Sequence, residues 1–102
     1  MEQFDSITYH EKIKEDKLTI VKHFASWCGP CRVLTPILEG VLSKYPDINA
    51  GEVNIDIHPD LASKDGVRGV PTVVFYKNGV MMDRMVGVQQ PHIYQSKIDS
   101  LK

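Results

Sequence analysis

Four stretches of the chain have the side-chain pattern of β-strands. Residues 18–25 form a mostly apolar run, and residues 51–57 alternate between apolar and polar side chains. Two later stretches rich in Val, Met and aromatic residues flank Asn78-Gly79, a dipeptide typical of a type I′ hairpin turn. The predicted strands are 18–25, 51–57, 72–77 and 80–86, and a short extended piece is expected around Gln3-Phe4.

Four other stretches have the pattern of helices. In the clearest, apolar side chains recur at intervals of three and four residues and form one stripe: Val33, Leu34, Ile37, Leu38, Val41 and Leu42. Ser6 is the expected N-cap of the first helix, in which Ile7, His10, Ile13 and Lys14 recur at close to helical spacing. Gly66 is the expected C-terminal cap of the third helix. The predicted helices are 6–15, 30–45, 59–65 and 91–101. A strand, a helix and a strand in succession predict a parallel crossover, so the fold class is α/β.

Length and composition predict one globular domain that spans residues 1–102. Hydrophobic residues make up 42% of the chain and charged residues 25%, which are ordinary values. The net charge is −1 and the basic residues are scattered, so we expect no nucleic-acid partner. The N-terminus lacks the pattern of a signal peptide, and no apolar run could cross a bilayer. We therefore expect a cytoplasmic protein with no membrane partner. We also expect a monomer.

The only two cysteines, Cys28 and Cys31, lie where a predicted strand is followed by a helix. Pro30 suits the first helical position, because its fixed φ is helical and its missing N–H would have no partner there. Unpaired N–H groups and the helix dipole stabilise an anion at such an end. The thiolate is the nucleophile in disulfide exchange, so this geometry predicts Cys28 as the attacking sulfur.

Three other uses of the cysteine pair are weighed against catalysis. A fixed structural disulfide is disfavoured, because the cytoplasm keeps thiols reduced. A structural zinc site needs four ligands, and the four histidines form no second pair at metal-ligand spacing. Haem attachment is excluded, because Arg32 rather than His follows Cys31. No metal is therefore expected.

Several motifs together resemble the thioredoxin family along nearly the whole chain. They are 25–32 (ASWCGPCR), 53–56 (VNID), 67–72 (VRGVPT), 75–79 (FYKNG) and 86–88 (VGV). The resemblance implies a thioredoxin fold, with a central mixed sheet of about five strands flanked by about four helices. The strand before the cysteines would lie at the centre of that sheet.

The resemblance also implies a chemistry. Cys28 would attack a protein disulfide, and Cys31 would resolve the mixed disulfide, so that Cys28 and Cys31 form a redox-active disulfide with no bound cofactor. The implied function is protein-disulfide reduction, with oxidised proteins as substrates and a thioredoxin reductase as the partner that recharges the pair. A thiol oxidase or isomerase is a second enzymatic interpretation. A binding module with idle cysteines is an interpretation from another class.

The resemblance further implies a flat apolar substrate groove. Its members would be Trp27, Gly29, Pro30, Val70, Pro71, Gly87 and Val88. From sequence alone the Val70-Pro71 bond would be trans, since only about 5–6% of X–Pro bonds are cis. The family pattern reverses that prediction. A cis Pro71 would leave the Val70 backbone free to pair with an extended substrate.

The chain departs from the family pattern at three positions. Lys22 stands where the family commonly has a buried Asp, Glu52 where it commonly has a Lys, and Phe24 where bacterial members often have a second Trp. We expect Lys22 and Glu52 to form a buried ion pair behind Cys31, because a charge on a covered strand needs a partner. Glu52 is then a candidate proton acceptor for Cys31. The alternative to a buried pair is that both charges lie on a face exposed to solvent.

Overall fold

The computed structural model describes residues 1–102 and contains five strands and four helices. Their bounds are β1 Glu2–Gln3, α1 Ser6–Ile13, β2 Thr19–Phe24, α2 Gly29–Leu42, β3 Asn49–Asn54, α3 Pro59–Lys64, β4 Thr72–Lys77, β5 Val80–Val86 and α4 Pro91–Leu101. No helix is both long enough and apolar enough to cross a membrane.

The five strands form one mixed sheet in the order β1-β3-β2-β4-β5. The central strand β2 pairs in parallel with β3 and antiparallel with β4. The β2–α2–β3 crossover predicted from the sequence is confirmed by this parallel pairing. In the register of the sheet, Lys22 lies opposite Glu52 on β3 and His23 lies opposite Thr72 on β4.

Alternate residues of β2 belong to two separate cores, one on each side of the sheet. One core contains Ile20 and is covered by side chains of α2 and α4; its buried members are Leu18, Ile20, Leu34, Leu38, Val41, Val73, Phe75, Tyr94 and Ile98. The other contains Val21 and is covered by α1 and α3; its buried members are Phe4, Tyr9, Ile13, Val21, Val53, Leu61, Val74 and Tyr76. Both faces of the central strand are therefore covered, as its apolar run requires.

The start and inner face of α1 differ from the sequence prediction. Asp5, not Ser6, is the N-cap. Its carboxylate accepts a hydrogen bond from the Thr8 N–H at 2.8 Å, and the Thr8 hydroxyl accepts one from the Asp5 N–H at 2.8 Å. This reciprocal capping box fixes the helix one residue earlier. Tyr9 is buried, whereas Ile7 is 71% exposed.

The bounds of α2 and β3 also differ from the predicted ones. Gly29 is the first residue of α2 and Pro30 the second, and the helix ends at Leu42 rather than near residue 45. Pro30 keeps its advantage there, because the first four N–H groups of a helix all lack intrahelical partners. Strand β3 ends at Asn54 instead of 57, and Ile57 is 68% exposed.

The β4–β5 hairpin is held against the end of α1. Asn78 and Gly79 both have positive φ, 55° and 78°, as a type I′ turn requires. The Gly79 N–H donates to the Ile13 carbonyl at 2.7 Å, and the Asn78 N–H donates to the Glu15 carbonyl at 3.1 Å. The Asn78 side chain adds a third bond, from Nδ2 to Asp16 Oδ1 at 3.0 Å.

A buried polar cluster of His23, Asp65, Tyr9 and Tyr76 lies within the α1/α3 core. Asp65 Oδ1 accepts hydrogen bonds from the hydroxyls of Tyr9 at 2.5 Å and Tyr76 at 2.6 Å. Asp65 Oδ2 lies 2.8 Å from His23 Nε2, while His23 Nδ1 is buried without a partner. Lys64 Nζ donates to the Tyr76 hydroxyl at 3.0 Å from the partly exposed rim.

Candidate active site

Cys28 and Cys31 are joined by a disulfide at the N-terminus of α2. Cys28 is the N-cap residue in extended conformation, with φ −90° and ψ 109°, and its Sγ accepts a hydrogen bond from the Cys31 N–H at 3.2 Å. Gly29 and Pro30, both exposed, form the first two helical positions. No acidic residue lies in this first turn. The free N–H groups and the dipole of α2 therefore favour negative charge on the Cys28 sulfur.

The Val70–Pro71 peptide bond is cis and lies beside the disulfide. Cys28 Sγ is 3.7 Å from the Val70 carbonyl oxygen, and Val70 packs against the two cysteines and Ala25. Pro71 itself is buried. The cis geometry predicted from the family pattern is confirmed.

Gly87 connects β5 to the cis-proline segment. Its N–H donates to the Pro71 carbonyl at 2.8 Å, and its φ of 83° is a conformation that glycine adopts without strain. Val88 follows and is 37% exposed. The structure thus brings Gly87 against Pro71 and leaves an apolar side chain at the surface next to them.

Trp27 lies at the surface, with 67% of its area exposed. Its indole Nε1 donates to Asp56 Oδ2 at 2.9 Å, and the Asp56 N–H donates to Asn54 Oδ1 at 2.9 Å. The sequence predicted a surface tryptophan but missed Asp56, which lies 29 positions away. No local signal links residues at that distance, because the contact depends on β3 ending beside β2.

Lys22 and Glu52 form an ion pair behind Cys31. Lys22 Nζ lies 3.3 Å from Glu52 Oε1, with side-chain exposures of 1% and 14%. Lys22 Nζ also donates to Thr35 Oγ1, and the Thr35 hydroxyl donates to the Cys31 carbonyl at 3.2 Å. The second carboxylate oxygen of Glu52 accepts a hydrogen bond from Gln3 Nε2. The predicted pairing of these two charges is confirmed, with Glu52 reaching the partly exposed edge.

A cavity of about 320 Å³ gives access to this ion pair and to Cys31. It is lined by Lys22, Phe24, Ala25, Ser26, Cys31, Arg32, Thr35 and Glu52. Sequence reasoning missed Thr35, although its position four residues after Cys31 placed both on one face of α2. The Cys31 sulfur, a carboxylate and an ammonium group therefore border one space. His, Cys, Asp and Glu side chains nowhere form a group of three that could hold a metal ion.

Comparison with known proteins decides the family. The Thioredoxin family model matches residues 1–100. The chain belongs to the thioredoxin family. A thioredoxin of Chlamydia caviae is 43% identical over 72 residues, which are 71% of each chain. The mitochondrial Thioredoxin-2 of Schizosaccharomyces pombe is 40% identical over 79 residues, covering 78% of this chain and 59% of the relative.

Solved thioredoxin structures match the fold over its full length. The X-ray structure of Fasciola hepatica thioredoxin superimposes with a TM-score of 0.91 at 30% identity, and the match covers 100% of both chains. A protein of the thioredoxin family with a Cys-Gly-Pro-Cys disulfide is a thiol-disulfide oxidoreductase. The protein is therefore a protein-disulfide oxidoreductase whose redox-active centre is Cys28–Cys31.

Proposed function

We propose that this protein is a general reductant of protein disulfides in the cytoplasm, acting through one domain that spans residues 1–102. The observation that carries the proposal is the placement of Cys28. It caps the N-terminus of α2, lies against a cis proline and is bordered by an exposed tryptophan. Such a site provides one activated sulfur and an apolar surface that a substrate protein can bind.

The reaction consists of two thiol exchanges. The Cys28 thiolate attacks one sulfur of a substrate disulfide, so that a mixed disulfide forms and the first substrate thiolate leaves and takes up a proton. Cys31 then loses its proton and attacks the Cys28 sulfur. The mixed disulfide breaks, the second substrate thiol leaves, and the Cys28–Cys31 disulfide forms. Two electrons have passed to the substrate, and a thioredoxin reductase returns them.

The assignment of Cys28 as nucleophile rests on helix geometry rather than on exposure. In the disulfide form the two cysteines are 4% and 2% exposed, which is too small a difference to separate them. Only Cys28 caps the helix, where the unpaired N–H groups converge. Cys31 lies inside the first turn and borders the cavity behind the site.

The surface around the disulfide suits an extended polypeptide. Neither the N–H nor the carbonyl of Val70 makes a backbone hydrogen bond, so both are free to pair with a substrate strand. Trp27, Gly29 and Pro30 would form one wall of this substrate groove, and Val88 the other. Pro71 and Gly87 would form its floor.

Lys22 and Glu52 are assigned to the resolving step. Cys31 must be deprotonated before it attacks, and Glu52 is the only carboxylate that lines its cavity. We assign Glu52 as the proton acceptor, directly or through one water. Lys22 positions the carboxylate and, through Thr35, contacts the turn that carries Cys31.

The proposed partners are oxidised proteins and a thioredoxin reductase. We propose that the protein acts as a monomer, without a bound cofactor and without nucleic acid, as its net charge of −1 and scattered basic residues favour. Relatives differ in location, since one carries the name of a mitochondrial thioredoxin. Fluorescent tagging of the chain in its own cells would test the cytoplasmic assignment.

Insulin reduction with dithiothreitol as electron source tests the function. The wild-type protein should accelerate precipitation of the reduced insulin chains. Cys28→Ser should abolish the acceleration, and Cys31→Ser should accumulate a mixed disulfide detectable by mass spectrometry. Full turnover by both variants would refute the assignment. Equilibration with glutathione buffers would separate a reductase from an oxidase, because a reductase has the lower potential.

A further inference from the structure

A positively charged pocket lies next to the cis-proline segment, outside the groove described above. Its volume is about 440 Å³, and its lining is Gly66, Arg68, Gly69, Thr72, Arg84 and Val86. No acidic side chain lines it. We call it the arginine pocket. Two guanidinium groups around one open space are a favourable setting for a carboxylate.

The guanidinium of Arg84 is fixed in position. Its Nη1 donates to the carbonyls of Asp65 at 2.9 Å and Gly66 at 3.1 Å. Gly66 has a φ of 69°, and a Cβ at this position would lie 2.3 Å from Nη1. A glycine is therefore needed both for the turn and for the close approach of Arg84. The other N–H groups of the Arg84 guanidinium make no hydrogen bond within the chain and stay available to a ligand.

Neither arginine has a carboxylate partner. The salt bridges of the chain include no bond to Arg68 or Arg84. The aspartates that directly precede Gly66 and Arg84 in the sequence are engaged elsewhere: the Asp65 carboxylate is buried against His23, and Asp83 pairs with Lys97 at 2.8 Å. The positive charge of the pocket is therefore not neutralised within the chain.

Residues of the arginine pocket adjoin those of the substrate groove along the chain. Gly69 and Thr72 directly flank Val70-Pro71, and Val86 directly precedes Gly87. An extended chain advances about 3.3 Å per residue. A substrate strand paired with Val70 thus places side chains near the reacting cysteine within reach of the arginines.

We infer that the arginine pocket is an acidic subsite, which selects disulfide substrates that carry Asp or Glu within about three residues of the reacting cysteine. The inference rests on the proposed function and specifies its substrate class. Because exposed ion pairs contribute modestly, we expect a preference of about fivefold for an acidic over a neutral substrate.

Symmetric peptide disulfides provide the test. Two copies of a cysteine peptide are joined by one disulfide, and reduced protein converts each into two free peptide thiols while Cys28 and Cys31 become oxidised. One glutamate is moved through the three positions on either side of the cysteine, and glutamine and lysine peptides serve as neutral and basic counterparts. Quantified by chromatography, the second-order rate constant of this single turnover should be about fivefold higher for at least one glutamate position than for glutamine, and lowest for lysine. The preference should shrink in high salt.

Variants assign the effect to the arginines. Arg68→Gln removes a side chain that makes no hydrogen bond in the fold, and Arg84→Gln removes the fixed guanidinium; each should lower the glutamate-to-glutamine ratio towards one. Arg68→Glu should shift the preference towards the lysine peptide. Lys44→Gln, an equal charge change at an exposed site remote from the pocket, should keep the wild-type ratio. The glutamate-to-glutamine ratio is taken within each variant. A lower folded fraction reduces both rates equally and therefore leaves this ratio unchanged.

The outcomes separate the two proposals. If no peptide disulfide is reduced, the proposed function fails. If all peptides are reduced at equal rates, the function stands and the acidic subsite is refuted. A glutamate preference that Lys44→Gln removes as completely as Arg68→Gln would also refute it, because the effect would then come from net charge alone.

Discussion

His23 Nε2 lies 2.8 Å from Asp65 Oδ2, and both side chains are withdrawn from solvent. The other oxygen of the same carboxylate accepts two tyrosine hydroxyls, from Tyr9 and Tyr76. One carboxylate therefore links β2, α1 and β4 to the end of α3. Asp65 is followed directly by the turn and the segment that carry Arg68 and Pro71. The buried polar cluster thus supports the segment that carries Val70 and Pro71 of the proposed substrate groove.

Because of this cluster, the free energy of unfolding should depend on pH in the acid range. Burial by itself raises the pKa of Asp65, but hydrogen bonds from His23, Tyr76 and Tyr9 outweigh it and hold the pKa below the usual 3.8. The unfolded chain then binds the proton more readily, so the stabilisation is present above about pH 4 and is lost as the pH falls through the folded pKa. Asp65→Asn should lower the free energy of unfolding by about 1–3 kcal/mol at pH 7 and flatten its decline in acid. Urea titrations between pH 2 and pH 7 measure both effects.

The exposed Glu11 offers a matched control for that experiment. Glu11→Gln removes a carboxylate that forms no ion pair, so its stability curve should follow the wild-type curve. An Asp65→Asn curve parallel to the wild type at every pH would contradict the predicted role of the carboxylate.

Burial and the bond to Asp65 also raise the pKa of Tyr9 far above its ordinary value, so its hydroxyl remains a donor across this range.

The Lys22–Glu52 pair should contribute strongly to stability. Lys22 is 1% exposed, so its ammonium would be left without a counter-charge if Glu52 were removed. Lys22→Ala and Glu52→Ala should each cost about 3 kcal/mol, and the double exchange Lys22→Asp with Glu52→Lys should recover much of the loss. Thermal or urea unfolding of the variants measures this. In the half-exposed pair Lys97–Asp83 the same alanine changes should cost about 0–1 kcal/mol. If the alanine variants of the two pairs lost the same free energy of unfolding, and the losses within each pair were additive, burial of the Lys22–Glu52 pair would not be contributing to stability as predicted.

The proposed base function of Glu52 has its own signature. Glu52→Gln keeps the shape of the side chain and removes the proton acceptor. The resolving step, observed as release of the second substrate thiol from a preformed mixed disulfide, should slow and change its pH dependence. Thr35→Val is an informative companion, because it removes the bond to Lys22 without removing the carboxylate. A Glu52→Gln protein with the wild-type rate and pH profile would exclude proton transfer through this residue.

Trp27 should report the redox state of the disulfide. It is the only tryptophan, and it directly precedes Cys28. Its emission should therefore change when dithiothreitol converts the disulfide to the dithiol, as a fluorescence titration would record. Trp27→Phe should remove the signal. An emission spectrum unchanged after complete reduction would show that the indole does not sense the cysteines.

The order of elements was predictable from sequence, because each is specified by a local pattern. The hairpin at Asn78-Gly79, the terminal helix from Pro91 to Leu101 and the strands on either side of the turn have the predicted bounds. The cap of α1 was not, since Asp5 and Ser6 are both good N-caps and only the partner Thr8 decides between them. The inner face of α1 was likewise missed, because Ile7 and Tyr9 are both apolar enough to face the core.

The site was predictable where a motif or a strand register connects its members. Cys28 and Cys31 are neighbours on one helix turn, and Lys22 meets Glu52 because a parallel crossover places their strands side by side. Contacts that depend on tertiary packing were not predictable. His23 and Asp65 are 42 positions apart, and neither an aspartate after a short helix nor a histidine in an apolar strand indicates the other. The hydrogen bond from Arg84 to the Gly66 carbonyl was likewise not predictable from the sequence.

The attachment of the β4–β5 turn to α1 limits where the chain can be engineered. Hairpin tips with small polar residues are ordinarily good sites for inserted tags or new termini. Here Asn78 and Gly79 donate backbone hydrogen bonds to the carbonyls of Glu15 and Ile13. A peptide spliced into this turn would therefore release the end of a helix that carries Tyr9 into the buried polar cluster. Grafts and circular permutations of this scaffold are better placed at another surface loop than at the one whose sequence most resembles a permissive turn.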